Sequence, residues 1–135
     1  MGARGENAAA VPEIPTLLER FCLAIYRPSS MYAIAILRYR RPLDEVLPVV
    51  DAHRAYLKGL RDDGILLASG PFEPRAGGAL LLRVADDGAL AALDRVRDGD
   101  PFTKLGLAQY ELLPWSPTFG KEELDRAFVV PPRVG

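Results

Sequence analysis

Hydrophobic and polar positions between residues 31 and 113 switch several times between the spacing of strands and the spacing of helices. Residues typical of turns separate the six segments that carry these patterns. The predicted strands are 31–39, 65–72, 79–84 and 108–113, and the predicted helices are 42–63 and a segment that Asp86 or Asp87 caps and that ends near Gly99. The order β-α-β-β-α-β predicts a ferredoxin-like α+β fold.

Two finer predictions concern the second helix and the last strand. Helical spacing places Leu90, Leu93 and Val96 on the inner face of the second helix. Pro114 should end the last strand, because proline cannot donate a hydrogen bond to a neighbouring strand.

Both faces of the predicted sheet carry apolar side chains. In strand 31–39, tyrosine and isoleucine alternate with alanine and leucine, so neither face is polar over most of its length. Two helices can cover only one face, and an exposed apolar face of this size needs another cover. We expect a second copy of the chain, packed sheet against sheet in a homodimer. The alternative covers are a helix at 16–26 and the tail after Trp115.

The two ends differ in composition from the middle of the chain. Residues 1–10 are rich in glycine and alanine, and residues 16–25 have the spacing of a short amphipathic helix. A Pro-Ser-Ser break precedes Met31, which is a candidate translation start. We therefore divide the chain into an N-terminal extension (1–30) that is partly disordered and dispensable for the core, a domain (31–115) and a C-terminal tail (116–135).

Composition restricts the classes of partner. A chain of 135 residues, 49% of them apolar, suffices for one globular domain, and its net charge of −1 provides no basic surface for nucleic acid. Its single cysteine cannot form an intrachain disulfide, and no Cys/His cluster suggests a zinc site. No apolar run approaches the ~20 residues of a membrane-spanning helix. We expect a cytoplasmic protein with no membrane or nucleic-acid partner, no metal and no cofactor.

His53 is the only histidine, and it falls within the apolar stripe of the first predicted helix. A buried imidazole without a polar partner costs about 1–3 kcal/mol, so His53 needs one. It is either a core histidine bonded to the backbone or a general acid or base that faces a cavity.

Two short motifs are further candidates. Ser69, Gly70 and Pro71 form either a bend in a strand or a small-residue opening beside a ligand. Asp100, followed by a proline and then by Phe102, is typical of a helix N-cap with proline at the first helical position.

In this order of elements, these motifs resemble those of the YciI-like family over about residues 31–115. The residues that carry the resemblance are Ala52-His53-Arg54-Ala55-Tyr56-Leu57, Gly64, Ser69-Gly70-Pro71, Gly78, Asp100-Pro101-Phe102 and Leu113-Pro114-Trp115. The resemblance implies a dimeric α/β barrel built from two ferredoxin-like subunits. It also implies a catalytic His–Asp pair, here His53 and Asp100.

Some members of that family are dehydrochlorinases of chlorinated hydroxyquinols, and muconolactone isomerases share the fold. The resemblance thus implies a metal-independent lyase or isomerase for a small oxygenated aromatic or lactone, in which Asp100 orients His53 for proton abstraction. The residues expected to contact the small-molecule ligand are Ser69, Gly70, Pro71 and Phe102. The alternatives are a non-catalytic ligand-binding or dimeric accessory module and a purely structural role for His53.

Overall fold

The computed structural model describes residues 29–127. This range contains four strands, five α-helices and one 3₁₀ turn. The elements are β1 Ser30–Tyr39, α1 Leu43–Val46, a 3₁₀ turn Leu47–Val49, α2 Val50–Asp62, β2 Leu66–Pro71, β3 Gly77–Ala85, α3 Ala89–Gly99, α4 Pro101–Lys104, β4 Ala108–Trp115 and α5 Lys121–Ala127. The sheet order is β2-β3-β1-β4, and all neighbouring strands are antiparallel. This is the predicted ferredoxin-like α+β arrangement.

The core lies between one face of the sheet and the helices. On β1 the inward side chains are small, Ala33 and Ala35, and they lie opposite the larger Leu82 and Leu80 of β3. Small residues on the central strand let the helices approach the sheet, and the leucines fill the remaining space. The helix residues buried in the same cluster are Val46, Val50, Leu57, Leu60, Ala89, Leu93, Val96 and Phe102.

The predicted cap of the second helix is wrong. Neither Asp86 nor Asp87 caps α3 through its side chain; the N-cap is Gly88, with a φ of 73°. The carbonyl oxygen of Asp86 instead accepts a hydrogen bond from the backbone N–H of Ala89. A left-handed turn at glycine therefore begins the helix, because only glycine adopts this conformation without a steric penalty.

The predicted inner face of that helix is also partly wrong. Leu90 is 65% exposed, whereas Ala89, Leu93 and Val96 are buried. The three buried positions follow the i, i+4, i+7 spacing of one helix face. The buried face of the helix therefore begins at Ala89. Hydrophobicity alone predicts that Leu90 is the buried residue, because its side chain is larger and more apolar.

The last strand continues past its predicted end. Pro114 lies within β4, which pairs with β1 as far as Trp115. β4 is an edge strand, so one of its two sides has no neighbour that needs a backbone N–H. Proline is compatible with such a position, and the prediction that Pro114 ends the strand is wrong for this reason.

The second face of the sheet, here called the outer face, is only partly covered within the described residues. Its half-buried and exposed apolar side chains are Ile34, Ile36, Leu81, Leu113 and Trp115. Asp125 of α5 accepts a 2.7 Å hydrogen bond from the hydroxyl of Tyr32, and the pKa of Tyr32 is raised by burial and then by this bond. The tail thus contacts the outer face at Tyr32, and the tail is one of the alternative covers considered above. Residues 1–28 of the predicted extension, including the predicted helix at 16–26, lie outside the described residues.

Gly77 gives a prediction about the start of β3. Its φ is 153°, and a Cβ atom there would collide with the carbonyl oxygen of Leu37 on β1. We expect Gly77→Ala to lower the free energy of unfolding by about 2–3 kcal/mol, through backbone strain and displacement of the neighbouring strand. Urea denaturation measures the change.

Gly59→Ala is the matched control for that substitution. Gly59 lies within α2, and apart from its neighbours in the chain and the backbone of its own helix, a Cβ atom added there meets nothing within 4 Å. We expect this variant to gain about 0.5–1 kcal/mol, because alanine is the better helix former. Equal effects of the two substitutions would contradict the described path of the chain at Gly77.

Candidate functional site

Asp100 is a fully buried carboxylate at the junction between α3 and α4. It is the N-cap of α4, and its Oδ1 accepts a 2.9 Å hydrogen bond from the backbone N–H of Phe102. Proline occupies the first turn of that helix, as the sequence motif predicts. The prediction that Asp100 is a helix N-cap is confirmed. The cap fixes the position of the carboxylate, and it holds this acidic side chain in the core.

His53 lies in the first half of α2, and its side chain is 13% exposed. Its Nδ1 is 2.9 Å from Oδ1 of Asp100. A carboxylate oxygen can only accept, so Nδ1 donates, and the neutral ring then has no proton on Nε2. Within residues 29–127, Nδ1 has this single side-chain partner and Nε2 has none. The arrangement leaves Nε2 able to accept a proton from a bound molecule.

The ring of Phe102 packs flat against the imidazole ring of His53. The rings of His53 and Phe102 are stacked, with centroids 4.0 Å apart and an interplanar angle of 9°. Tyr39 of β1 meets Phe102 edge to face at 6.0 Å. Since Phe102 is 2% exposed, its ring is a fixed wall behind the histidine.

Tyr110 of β4 is a third partner of Asp100 that sequence reasoning missed. Its buried hydroxyl donates a hydrogen bond to Oδ2 of Asp100. Burial, and then the negative charge of Asp100, raise the pKa of Tyr110 well above its usual value. Tyr110 lies opposite Leu37 on the inward face of the sheet. The alternation of side chains along β4 places Tyr110 on the inward face, where a hydroxyl needs a buried hydrogen-bonding partner. This alternation is the sequence signal that could have identified Tyr110 as part of the site.

Tyr56 ties α2 to α3 beside this network. Its hydroxyl donates a 2.7 Å hydrogen bond to the carbonyl oxygen of Val96, and a Cβ atom at Gly99 would press against that hydroxyl. Burial, followed by the charge of Asp100, raises the pKa of Tyr56. The contact fixes the spacing between the helix that carries His53 and the helix that leads to Asp100.

An open cavity of about 210 Å³, here called the pocket, lies between α2 and the β2–β3 hairpin. Five of the predicted site residues line it, namely His53, Ser69, Gly70, Pro71 and Phe102. Asp100 does not line it and lies behind His53. The other lining residues are Leu37, Tyr39, Val50, Arg54, Leu57, Arg75, Gly77, Gly78, Ala79 and Leu80.

Sequence reasoning also missed Arg54 and Arg75 as lining residues. Arg54 follows His53 in one of the motifs that carry the family resemblance, but the resemblance assigns no role to Arg54. Arg75 lies in the turn between β2 and β3. No local pattern could place that turn beside α2, because the contact depends on how the hairpin packs.

Neither a metal cluster nor a membrane-spanning element stands out in the described chain. Within residues 29–127, no three His, Cys, Asp or Glu side chains are grouped as they would be around a metal ion. None of the helices in this range has the length and apolar character needed to cross a bilayer.

Comparisons with known proteins agree with the architecture. A family model described as "YCII-related domain" matches residues 22–116. Among solved structures, the chain is similar to 5-chloro-2-hydroxyhydroquinone dehydrochlorinase (TftG) from Burkholderia phenoliruptrix AC1100, in complex with 2,5-dihydroxybenzoquinone. The two chains are 24% identical, the alignment covers 64% of this chain and 95% of that one, and the TM-score is 0.53. The search of curated proteins found no match. The likeness to the solved structure shows a shared fold.

Proposed function

The chain belongs to the YCII-related domain family, and we propose that it is a small-molecule enzyme of lyase or isomerase type. His53 removes a proton from the substrate, and Asp100 orients its ring. The observation that carries the proposal is the 2.9 Å contact between Nδ1 of His53 and a carboxylate with no solvent exposure, beside an open pocket. A purely structural histidine does not need to line a cavity.

Proton abstraction follows from the chemistry of this pair. The lone pair on Nε2 takes a proton from a substrate carbon, and the buried carboxylate stabilises the imidazolium that forms. In an elimination from the diketo tautomer of a chlorinated hydroquinone, the bonding pair of a C–H bond next to a carbonyl becomes a C=C bond, and chloride departs from the neighbouring carbon with the electron pair of its C–Cl bond. In an isomerisation, the imidazolium returns the proton to a different carbon.

The pocket suits a substrate with one ring. A cavity of about 150 Å³ can hold benzene, so about 210 Å³ leaves room for one substituted ring. Leu57, Leu80 and Phe102 supply apolar walls, while Ser69 supplies a hydroxyl for a substrate oxygen. The similar solved structure is named for a chlorinated hydroxyhydroquinone and holds a dihydroxybenzoquinone. We propose that this chain acts on an oxygenated ring of the same kind.

A direct assay tests the proposal. The purified chain is incubated with 5-chloro-2-hydroxyhydroquinone and, separately, with an unsaturated γ-lactone in deuterated water. We expect release of chloride from the first compound or deuterium incorporation into the second, above the rate without protein. Binding of both compounds without either reaction would instead show a non-catalytic ligand-binding module.

We also propose that the outer face joins two copies of the chain in a homodimer. Ile34, Ile36, Leu113 and Trp115 are apolar side chains on the outer face, near the contact between Tyr32 and Asp125 of α5. Sedimentation at micromolar concentration should give the mass of a dimer, and a monomer would contradict this proposal. Location in the cytoplasm stays a prediction.

A further inference from the structure

We infer that the pocket takes its ligand as an anion, a planar ring that carries a carboxylate or an acidic hydroxyquinone oxygen, and that Arg54 and Arg75 hold the negative group. This inference rests on the proposed function, because it names the substrate class of the same site. It adds two binding residues to which neither the sequence motifs nor the family match assigns a role.

The charge of the pocket lining is the first support. The ionisable side chains that line the pocket are those of Tyr39, His53, Arg54 and Arg75, and none of them is a carboxylate. Asp100, the nearby acid, is separated from the cavity by His53 and already accepts three hydrogen bonds. A ligand in this pocket therefore meets two fixed positive charges and no negative one, which favours an anion over a neutral or cationic molecule.

The lack of partners for these two arginines is the second support. Arg38, Arg41 and Arg97 make ion pairs with nearby acids. Within residues 29–127, the guanidinium groups of Arg54 and Arg75 have no hydrogen-bonding or ion-pair partner, although both line the pocket. A ligand oxyanion would give these groups the partner that the rest of the described chain does not supply.

The position of the two arginines is the third support. Arg54 belongs to α2 and directly follows His53, whereas Arg75 belongs to the turn between β2 and β3. Two elements thus each bring one arginine to the cavity that His53 lines. The planar guanidinium group suits the paired oxygens of a carboxylate or a hydroxyquinone. An anionic group held there would place the attached ring against the apolar walls and within reach of His53.

The charge preference also suits the proposed chemistry. Removal of a proton from a carbon next to a carbonyl group increases the negative charge on the substrate, because an enolate oxygen forms. Two nearby guanidinium groups stabilise that charge as it develops. The same residues would therefore select the substrate and assist its deprotonation.

Matched probes test the inference without knowledge of the natural substrate. Benzoate and benzamide have almost the same shape but differ in charge, and 2,5-dihydroxybenzoquinone represents the acidic hydroxyquinones. The NMR signal of His53 reports binding, because the chain has no other histidine. We expect the wild-type chain to bind at least one of the two anions about fivefold or more tightly than benzamide. Tighter binding of benzoate would indicate a carboxylate ligand, and tighter binding of 2,5-dihydroxybenzoquinone would indicate a hydroxyquinone ligand.

Arginine variants then assign the preference to the pocket. We expect Arg54→Gln and Arg75→Gln each to weaken binding of the preferred anion about three- to tenfold and to leave benzamide binding unchanged. Arg95→Gln is the control, since Arg95 is an exposed arginine of α3 that does not line the pocket. This control should change neither affinity.

The outcomes separate this inference from the proposed function. Equal binding of the anions and benzamide, unchanged anion binding in both pocket variants, or no shift of the His53 signal at millimolar probe would each overturn the inference. Turnover that survives the loss of His53 would overturn the proposed function, while the charge preference of the pocket would still stand as measured.

Discussion

Substitution of Asp100 by alanine is expected to lower the free energy of unfolding by about 3–4 kcal/mol. The carboxylate accepts from the backbone of Phe102, from His53 and from Tyr110. Loss of an N-cap costs about 0.5–2 kcal/mol, and a buried donor left without a partner costs about 1–3 kcal/mol. The buried hydroxyl of Tyr110 and the imidazole both lose their acceptor in this variant. Urea denaturation, followed by circular dichroism, measures the change.

Two variants control for this result. Asp98→Ala removes an exposed carboxylate on α3 that pairs with the neighbouring Arg97, and it should leave the unfolding curve unchanged. Asp100→Asn keeps an oxygen that can cap α4, so it should be less destabilising than Asp100→Ala. A stable Asp100→Ala variant would show that the three hydrogen bonds to the carboxylate do not hold the core together.

Substitution of His53 by asparagine is expected to reduce turnover about 10²- to 10⁴-fold, which is the usual contribution of a general base. The amide N–H of asparagine can still donate to Asp100, as Nδ1 of His53 does. It has no group that takes the role of Nε2. The fold should therefore survive, while the proton acceptor in the pocket is lost. Steady-state kinetics on the substrate found in the chloride or deuterium assay measure the change.

Ligand binding separates the loss of a base from the loss of the site. The dissociation constant for a pocket ligand should change much less in His53→Asn than the turnover number does, because Ser69, Arg54 and the apolar walls are intact. A variant that keeps both wild-type turnover and wild-type binding would show that His53 has only a structural role. A variant with weakened binding and an unchanged turnover number would show that it acts in binding alone.

The main lines of the fold could be predicted because they depend on local spacing. Alternation in β1 and the helical stripe around His53 each repeat over several residues, so a single misplaced residue does not change the element. The boundaries were harder to predict. The cap of α3 depends on a glycine in a left-handed conformation, and the continuation of β4 through Pro114 depends on its place at the sheet edge.

Only some of the site residues could be predicted from the sequence. His53, Ser69 and Asp100 could be singled out because a histidine in an apolar stripe, a Ser-Gly-Pro bend and an Asp-Pro start are unusual local patterns. Arg75 has no such pattern, and alternation along β4 indicates only that the hydroxyl of Tyr110 needs a buried partner, not that the partner is Asp100. The roles of Tyr110 and Arg75 arise from packing between β4 and Asp100 and between the β2–β3 turn and α2, which involve residues distant in the chain.

Nitrogen-15 NMR of the His53 ring tests the central claim most directly, since no other histidine contributes signals. The central claim is that Asp100 holds the ring with its proton on Nδ1 and keeps Nε2 free to accept a proton in the pocket. The neutral wild-type ring should therefore be the Nδ1–H tautomer. The folded Asp100→Ala variant, which has no acceptor for Nδ1, should shift the ring toward the Nε2–H tautomer. An Nε2–H ring in the wild type, or a tautomer that does not respond to Asp100→Ala, would contradict the claim.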